Sequence, residues 1–133
     1  MALLLDASFV IDLLHGQARA QRAAQEIDGT GETVLLPTPT LYEVRTGLAR
    51  PGARRQAARF DGLAAAWPSL ALDAAAAEKA AEIRAEFIAR GTPMAAVDLL
   101  LSGMAIAGGH TLLTADAGFD EVSEAFGLRV RRY

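Results

Sequence analysis

The sequence predicts an α/β domain of three layers, with helices on both sides of a central, mostly parallel sheet of about five strands. Short apolar runs alternate with helix-length segments along all 133 residues. No two of these runs are joined by a hairpin turn, so successive strands point the same way. The runs are also continuously apolar, as strands covered on both faces are.

Taken in order, Ala2 to Asp6 is the first strand, and Ser8 is placed to cap a helix running to Leu14. His15-Gly16 ends that helix, and a second follows from Arg19 to Ile27. Thr33-Val34-Leu35-Leu36 is the second strand, stopped by Pro37. Thr38-Pro39-Thr40 reads as a connection capping a helix from Leu41 to Ala49. After the break at Arg50-Pro51-Gly52, Ala53 to Ala66 is helical, and Ser69 to Leu72 is a short third strand. Asp73 caps a long alanine-rich helix to Arg90, ended by Gly91-Thr92-Pro93. Met94 or Ala95 to Ala107 is an apolar helix closed by Gly108-Gly109. Thr111 to Thr114, a short helix from Glu121 to Phe126, and Leu128 to Val130 complete the pattern as one domain, 1–133.

Composition narrows the chemistry. Apolar residues make up 52 % and charged residues 22 %, a globular balance. The absence of cysteine excludes disulfides, thiolate catalysis and sulfur-ligated metal sites. No apolar run approaches the length that crosses a bilayer, and no basic segment precedes the first leucines, so a cytoplasmic protein without a signal peptide is expected. A net charge of −3 argues against indiscriminate nucleic-acid binding. The arginines are nevertheless clustered. Arg45, Arg50, Arg54, Arg55 and Arg59 fall in a stretch without acids, and Arg129, Arg131 and Arg132 close the chain. Any one of these is as well explained by a solvated helix face as by a phosphate contact.

Four acids interrupt apolar patterns at corresponding places. Asp6 ends the first strand, Glu43 opens the helix after the second, Asp98 sits between Val97 and Leu99 early in the most apolar helix, and Asp116 follows the fourth strand. Strand ends and the helix starts that follow them share one rim of a doubly wound sheet. Singly, each acid has a structural reading. Asp6 could bond helix-start amides, Glu43 could complete a capping box with Thr40, Asp98 could favour a helix dipole, and Asp116 and Asp120 lie in a turn. Jointly, four carboxylates on one rim repel one another and call for a cation. Oxygen-only ligands select Mg²⁺ or Mn²⁺, which activate water and neutralise a phosphodiester. His15 and His110 form no ligand motif, and no phosphate loop or nucleophile elbow is present.

Leu4-Leu5-Asp6-Ala7-Ser8, Leu41-Tyr42-Glu43-Val44, Asp98-Leu99-Leu100 and Leu112-Leu113-Thr114-Ala115-Asp116-Ala117-Gly118-Phe119 resemble, in order and spacing, the motifs of PIN-domain ribonucleases. The chain length and the closing Gly127-Leu128-Arg129-Val130 look like the VapC toxins of prokaryotic toxin–antitoxin pairs. The resemblance implies an Mg²⁺- or Mn²⁺-dependent endoribonuclease whose acidic pocket is Asp6, Glu43, Asp98 and Asp116, with Asp6, Asp98 and Asp116 holding the metal. It implies supporting roles for Ser8 and Thr114. Where the family often has a further acid this chain has Gly118, with Asp120 two residues on. The resemblance also implies a dimer or larger assembly with a small VapB-like antitoxin that covers the site. Arg45, Arg50, Arg54 and Arg55, near Glu43, are the candidate RNA contacts.

Other readings of the same pattern are a housekeeping PIN nuclease and a non-catalytic, partner-binding PIN scaffold. A receiver-type signalling module shares the acids but needs a lysine at the rim of its last strand, and the single lysine, Lys79, is mid-helix.

Overall fold

The computed structural model describes residues 1–133 and contains one sheet of five strands, all parallel. The strands are β1 (Leu3–Leu5), β2 (Val34–Pro37), β3 (Ser69–Leu70), β4 (Thr111–Leu113) and β5 (Arg129–Arg131), in the order β3-β2-β1-β4-β5. The chain leaves β1 towards β2 on one side and later returns to β4 on the other. The carboxyl ends of β1 and β4 therefore flank the point where strand order reverses, where doubly wound sheets open a crevice.

Seven helices cover the sheet: α1 (Ala7–Leu14), α2 (Ala18–Thr30), α3 (Thr38–Leu48), α4 (Arg54–Ala64), α5 (Ala74–Ala89), α6 (Ala96–Gly108) and α7 (Asp120–Phe126). The period-two alternation of strand side chains sorts the core in two. Leu3, Leu5, Leu36 and Leu113 pack with Phe9, Val10 and Phe60 beneath α1 to α4. Leu4 and Leu112 pack with Ile83, Phe87, Leu101 and Met104 beneath α5 to α7. Leu4, Leu5, Leu112 and Leu113 are wholly buried, each contributing about 2 kcal/mol by burial. Phe60 is wholly buried, and Leu63 and Trp67 pack at its edge.

Two local readings are corrected. Helix α1 starts at Ala7, with Asp6 as its N-cap, so Ser8 lies inside the first turn and caps nothing. A carboxylate with extended backbone ahead of the turn meets the first free amide before Ser8 can. Helix α3 begins at Thr38, ahead of the expected Leu41, because Pro39 falls in its first turn, where a missing N–H costs nothing. Thr40 is consequently inside the helix. Its hydroxyl donates to the Leu5 carbonyl at 2.7 Å, and the capping box with Glu43 does not form.

Candidate active site

Asp6 is 4 % exposed and anchors the crevice. Its Oδ1 accepts from the Ala7 amide at 2.8 Å. Its Oδ2 accepts from the Ser8 hydroxyl at 2.8 Å and the Thr114 hydroxyl at 2.6 Å. Thr114 Oγ1 in turn accepts from the Asp116 amide at 2.9 Å, and Asp116 Oδ1 accepts from the Gly118 amide at 2.8 Å. Backbone bonds from Asp6 N to Leu113 O and from Thr114 N to Arg131 O, both 3.1 Å, align the ends of β1, β4 and β5. One chain of hydrogen bonds thus joins the loop after β1 to the loop after β4. Ser8 and Thr114 both donate to Oδ2 of Asp6.

The other two acids arrive from helices. Thr40 pins the first turn of α3 onto the end of β1, and Glu43 follows one turn later on the same face. Helix α6 packs against α3 and brings Asp98 from its own first turn. Neither carboxylate accepts a hydrogen bond from the protein, while the Ser102 hydroxyl takes the Asp98 carbonyl. Burial pushes the Asp98 carboxyl up to about 6, with Asp6, Asp116 and Glu43 adding to the rise in that order. Glu43 is raised as well, by burial first and then by Asp6. The four acids therefore share one electrostatic environment although they come from four separate segments.

No three of these side chains stand close enough to grip a single ion as they are. The donor set nonetheless suits a hard divalent cation. All its ligating atoms are carboxylate oxygens, two of the four groups have no protein donor, and their mutual repulsion is what a cation would relieve.

The remaining sequence candidates are spread out. Asp120 opens α7 and pairs with Arg132, and its charge does not reach Asp98. Arg45 lies over the Phe60 ring and pairs with Asp61, and Arg50 reaches Gln56 at 3.5 Å. Arg54 and Arg55 are exposed at the start of α4. His110 accepts a bond from the Ala2 amide at 3.1 Å, a structural role, and His15 is exposed.

Sequence reading missed Tyr133 and Asp12. The Tyr133 hydroxyl donates to Asp12 Oδ2 at 2.8 Å, and its ring meets Phe9 edge-on at 5.3 Å between centroids. Burial holds this phenol well above the usual range, with a Ser8 hydrogen bond opposing and Asp12 and Asp6 reinforcing it. The only local clue was Asp12, one helical turn after Ser8 in an otherwise apolar helix. Nothing near Tyr133 in sequence places it beside α1.

The sequence profile of the PIN domain matches residues 3–125. Among curated proteins, none is similar enough in sequence to match. Among solved structures, VapBC2 from Rickettsia felis, bound to a DNA fragment from its promoter, superposes with a TM-score of 0.87 at 17 % identity, covering 100 % of this chain and 99 % of that one. VapBC-5 from Mycobacterium tuberculosis gives 0.75 at 23 % identity, with both chains covered completely (100 %). VapC20 of the same organism, a toxin that cleaves the sarcin-ricin loop, gives 0.67 at 18 % identity, over 91 % of this chain and 95 % of that one. At these identities the likeness is one of fold.

Proposed function

Since the chain belongs to the PIN-domain family, we propose that it is a metal-dependent endoribonuclease, the toxin of a type II toxin–antitoxin pair. The observation that supports this is the hydrogen-bond chain from Ser8 and Asp6 through Thr114 to Asp116 at the crevice, beside which burial and the neighbouring acids raise Asp98. In this reading residues 1–133 form one nuclease domain acting in the cytoplasm.

Asp6, Asp98 and Asp116 are the residues that would hold Mg²⁺ or Mn²⁺. That ion supplies an acidified water and neutralises charge on the phosphodiester. Ser8 and Thr114 fix Oδ2 of Asp6 in one orientation, and Oδ1, with the Ala7 amide as its single donor, keeps a lone pair for an ion. Glu43, free of protein donors and raised towards neutrality, is suited to take the proton from the attacking water. Attack on phosphorus then breaks the bond to the leaving ribose oxygen, which needs a proton of its own. That oxygen would take its proton from solvent, because Asp98 as a metal ligand is ionised. Arg50, Arg54 and Arg55 remain RNA contacts in this reading, whereas Arg45 must first leave Asp61.

The partner follows from the comparison structures, several of which are VapBC pairs. We assign this chain a small VapB-like antitoxin that covers the crevice, in a dimeric or larger assembly.

Purified protein is expected to cleave RNA with Mg²⁺ or Mn²⁺, and chelator or Asp98→Asn to stop it. Equal cleavage by wild type and Asp98→Asn would overturn the mechanism. Expression should also arrest growth, and co-expression of a short neighbouring gene product should relieve it. A housekeeping nuclease would show neither effect.

A further inference from the structure

Four arginines from distant parts of the chain line one cleft beside the acids. Arg19 and Arg22 come from the start of α2, and Arg131 and Arg132 from the end of β5. The cleft holds about 200 Å³, and Glu26 is the only acid in its wall. Leu113, which immediately precedes Thr114 of the Asp6 network, forms part of the floor. Tyr133 forms another part, and its hydroxyl lies against Asp12 on the face of α1 that carries Ser8. The cleft and the acidic crevice are therefore neighbours, with Leu113 and Tyr133 between them.

The cleft concentrates positive charge that the protein itself only partly neutralises. Arg131 is engaged by Glu32 at 2.8 Å and Arg132 by Asp120, but Arg19 and Arg22 make no ion pair or hydrogen bond. Both sit in the first two turns of α2, where cations oppose the helix dipole. They also face two further arginines in a chain whose net charge is −3. Arginine forks match phosphate oxygens in bidentate fashion. The pairs of Arg131 and Arg132 are exposed, so exchanging a carboxylate for a phosphate there costs little.

We infer that this cleft, built by Arg19, Arg22, Arg131 and Arg132, holds RNA backbone phosphates flanking the scissile one. The inference rests on the ribonuclease reading for its ligand. It adds a second basic surface, built by α2 and the end of β5 rather than by the arginines of α4.

The test is equilibrium binding of a short fluorescein-labelled single-stranded RNA, with chelator present to prevent cleavage, over a series of salt concentrations. The double variant Arg19→Gln/Arg22→Gln should bind about tenfold more weakly, and its log–log salt slope should be shallower by about 1.4, roughly 0.7 for each lost phosphate contact. Arg84→Gln, on exposed α5, is the control and should bind as the wild type does. Because all these side chains are exposed, thermal unfolding should be unchanged. Unaltered affinity and slope in the double variant would overturn the inference, as would a wild type that binds no RNA. Wild type that binds RNA through the cleft yet fails to cleave with Mg²⁺ would leave the cleft standing and remove the nuclease reading. Cleavage with an unaltered double variant would do the reverse.

Discussion

Asp98 works against the stability of its own fold. Its carboxyl is raised to about 6, so near neutral pH the protein holds a carboxylate that burial and three like charges disfavour. An acid raised on folding binds more protons folded than unfolded between the two values. The stability it contributes is therefore complete below about pH 4 and lost as pH rises through about 6. Without metal, and with solvent screening allowed for, the effect is on the order of 1–2 kcal/mol. Asp98→Asn should then unfold a few degrees higher than wild type at pH 8, and this gap should narrow at pH 5 and close only near pH 4, as thermal denaturation in chelator would show. A variant that is more stable and inactive separates a functional acid from a structural one. Thr114→Val should do the opposite. It removes a buried donor to Asp6 and the acceptor of the Asp116 amide, for a loss of about 1–3 kcal/mol together with cleavage activity. Asp98 was legible in the sequence because a lone acid among leucines demands a reason. The division of labour between Asp6 and Ser8 was not, because it turns on where a helix starts by one residue.

Among the elements, the crossing of α5 and α6 is the closest. A Cβ on Gly103 would lie 2.3 Å from the Ala76 carbonyl and 2.9 Å from the Ala80 amide, so the helices meet backbone to backbone. Gly103→Ala should therefore destabilise the protein by about 1–3 kcal/mol despite the better helix propensity of alanine. Urea denaturation would measure it, and a stabilised variant would contradict this packing. The consequence reaches the site, because this crossing sets the position of α6 and hence of Asp98 relative to α3 and Glu43. The alanine-rich stretch from Ala74 was readable as a helix with an Asp73 cap, and the cap forms at 2.9 Å. The partner of its small face was not readable, since a stripe of small residues does not say which helix it meets. The early start of α3 was hidden for another reason: Pro39 suggests a break but is tolerated in a first turn.

At the scale of the molecule, β1 is the hub. It pairs with β2 on one edge and β4 on the other, and Leu4 and Leu5 are wholly buried. Amides of β1 and β4 should accordingly exchange with solvent only through global unfolding, while those of the two-residue edge strand β3 exchange much faster. Equal protection in β1 and β3 would contradict that hierarchy. The alternation of apolar runs and helices made the three layers legible, and Asp6, Glu43, Asp98 and Asp116 could be placed on one rim. The sequence could not show the second basic surface, because Arg19 and Arg132 are far apart along the chain and meet only once β5 has paired with β4. Strand order carries one more consequence, for the chain while it is being made. Asp6 is translated 108 residues ahead of Thr114, which holds its Oδ2, and its strand waits for β4. A nascent chain emerging from a ribosome, itself built of RNA, therefore has neither a seated Asp6 nor an Asp116 until β4 and the loop after it have been made. The order of the strands thus delays assembly of the acidic crevice until both halves of the sheet exist.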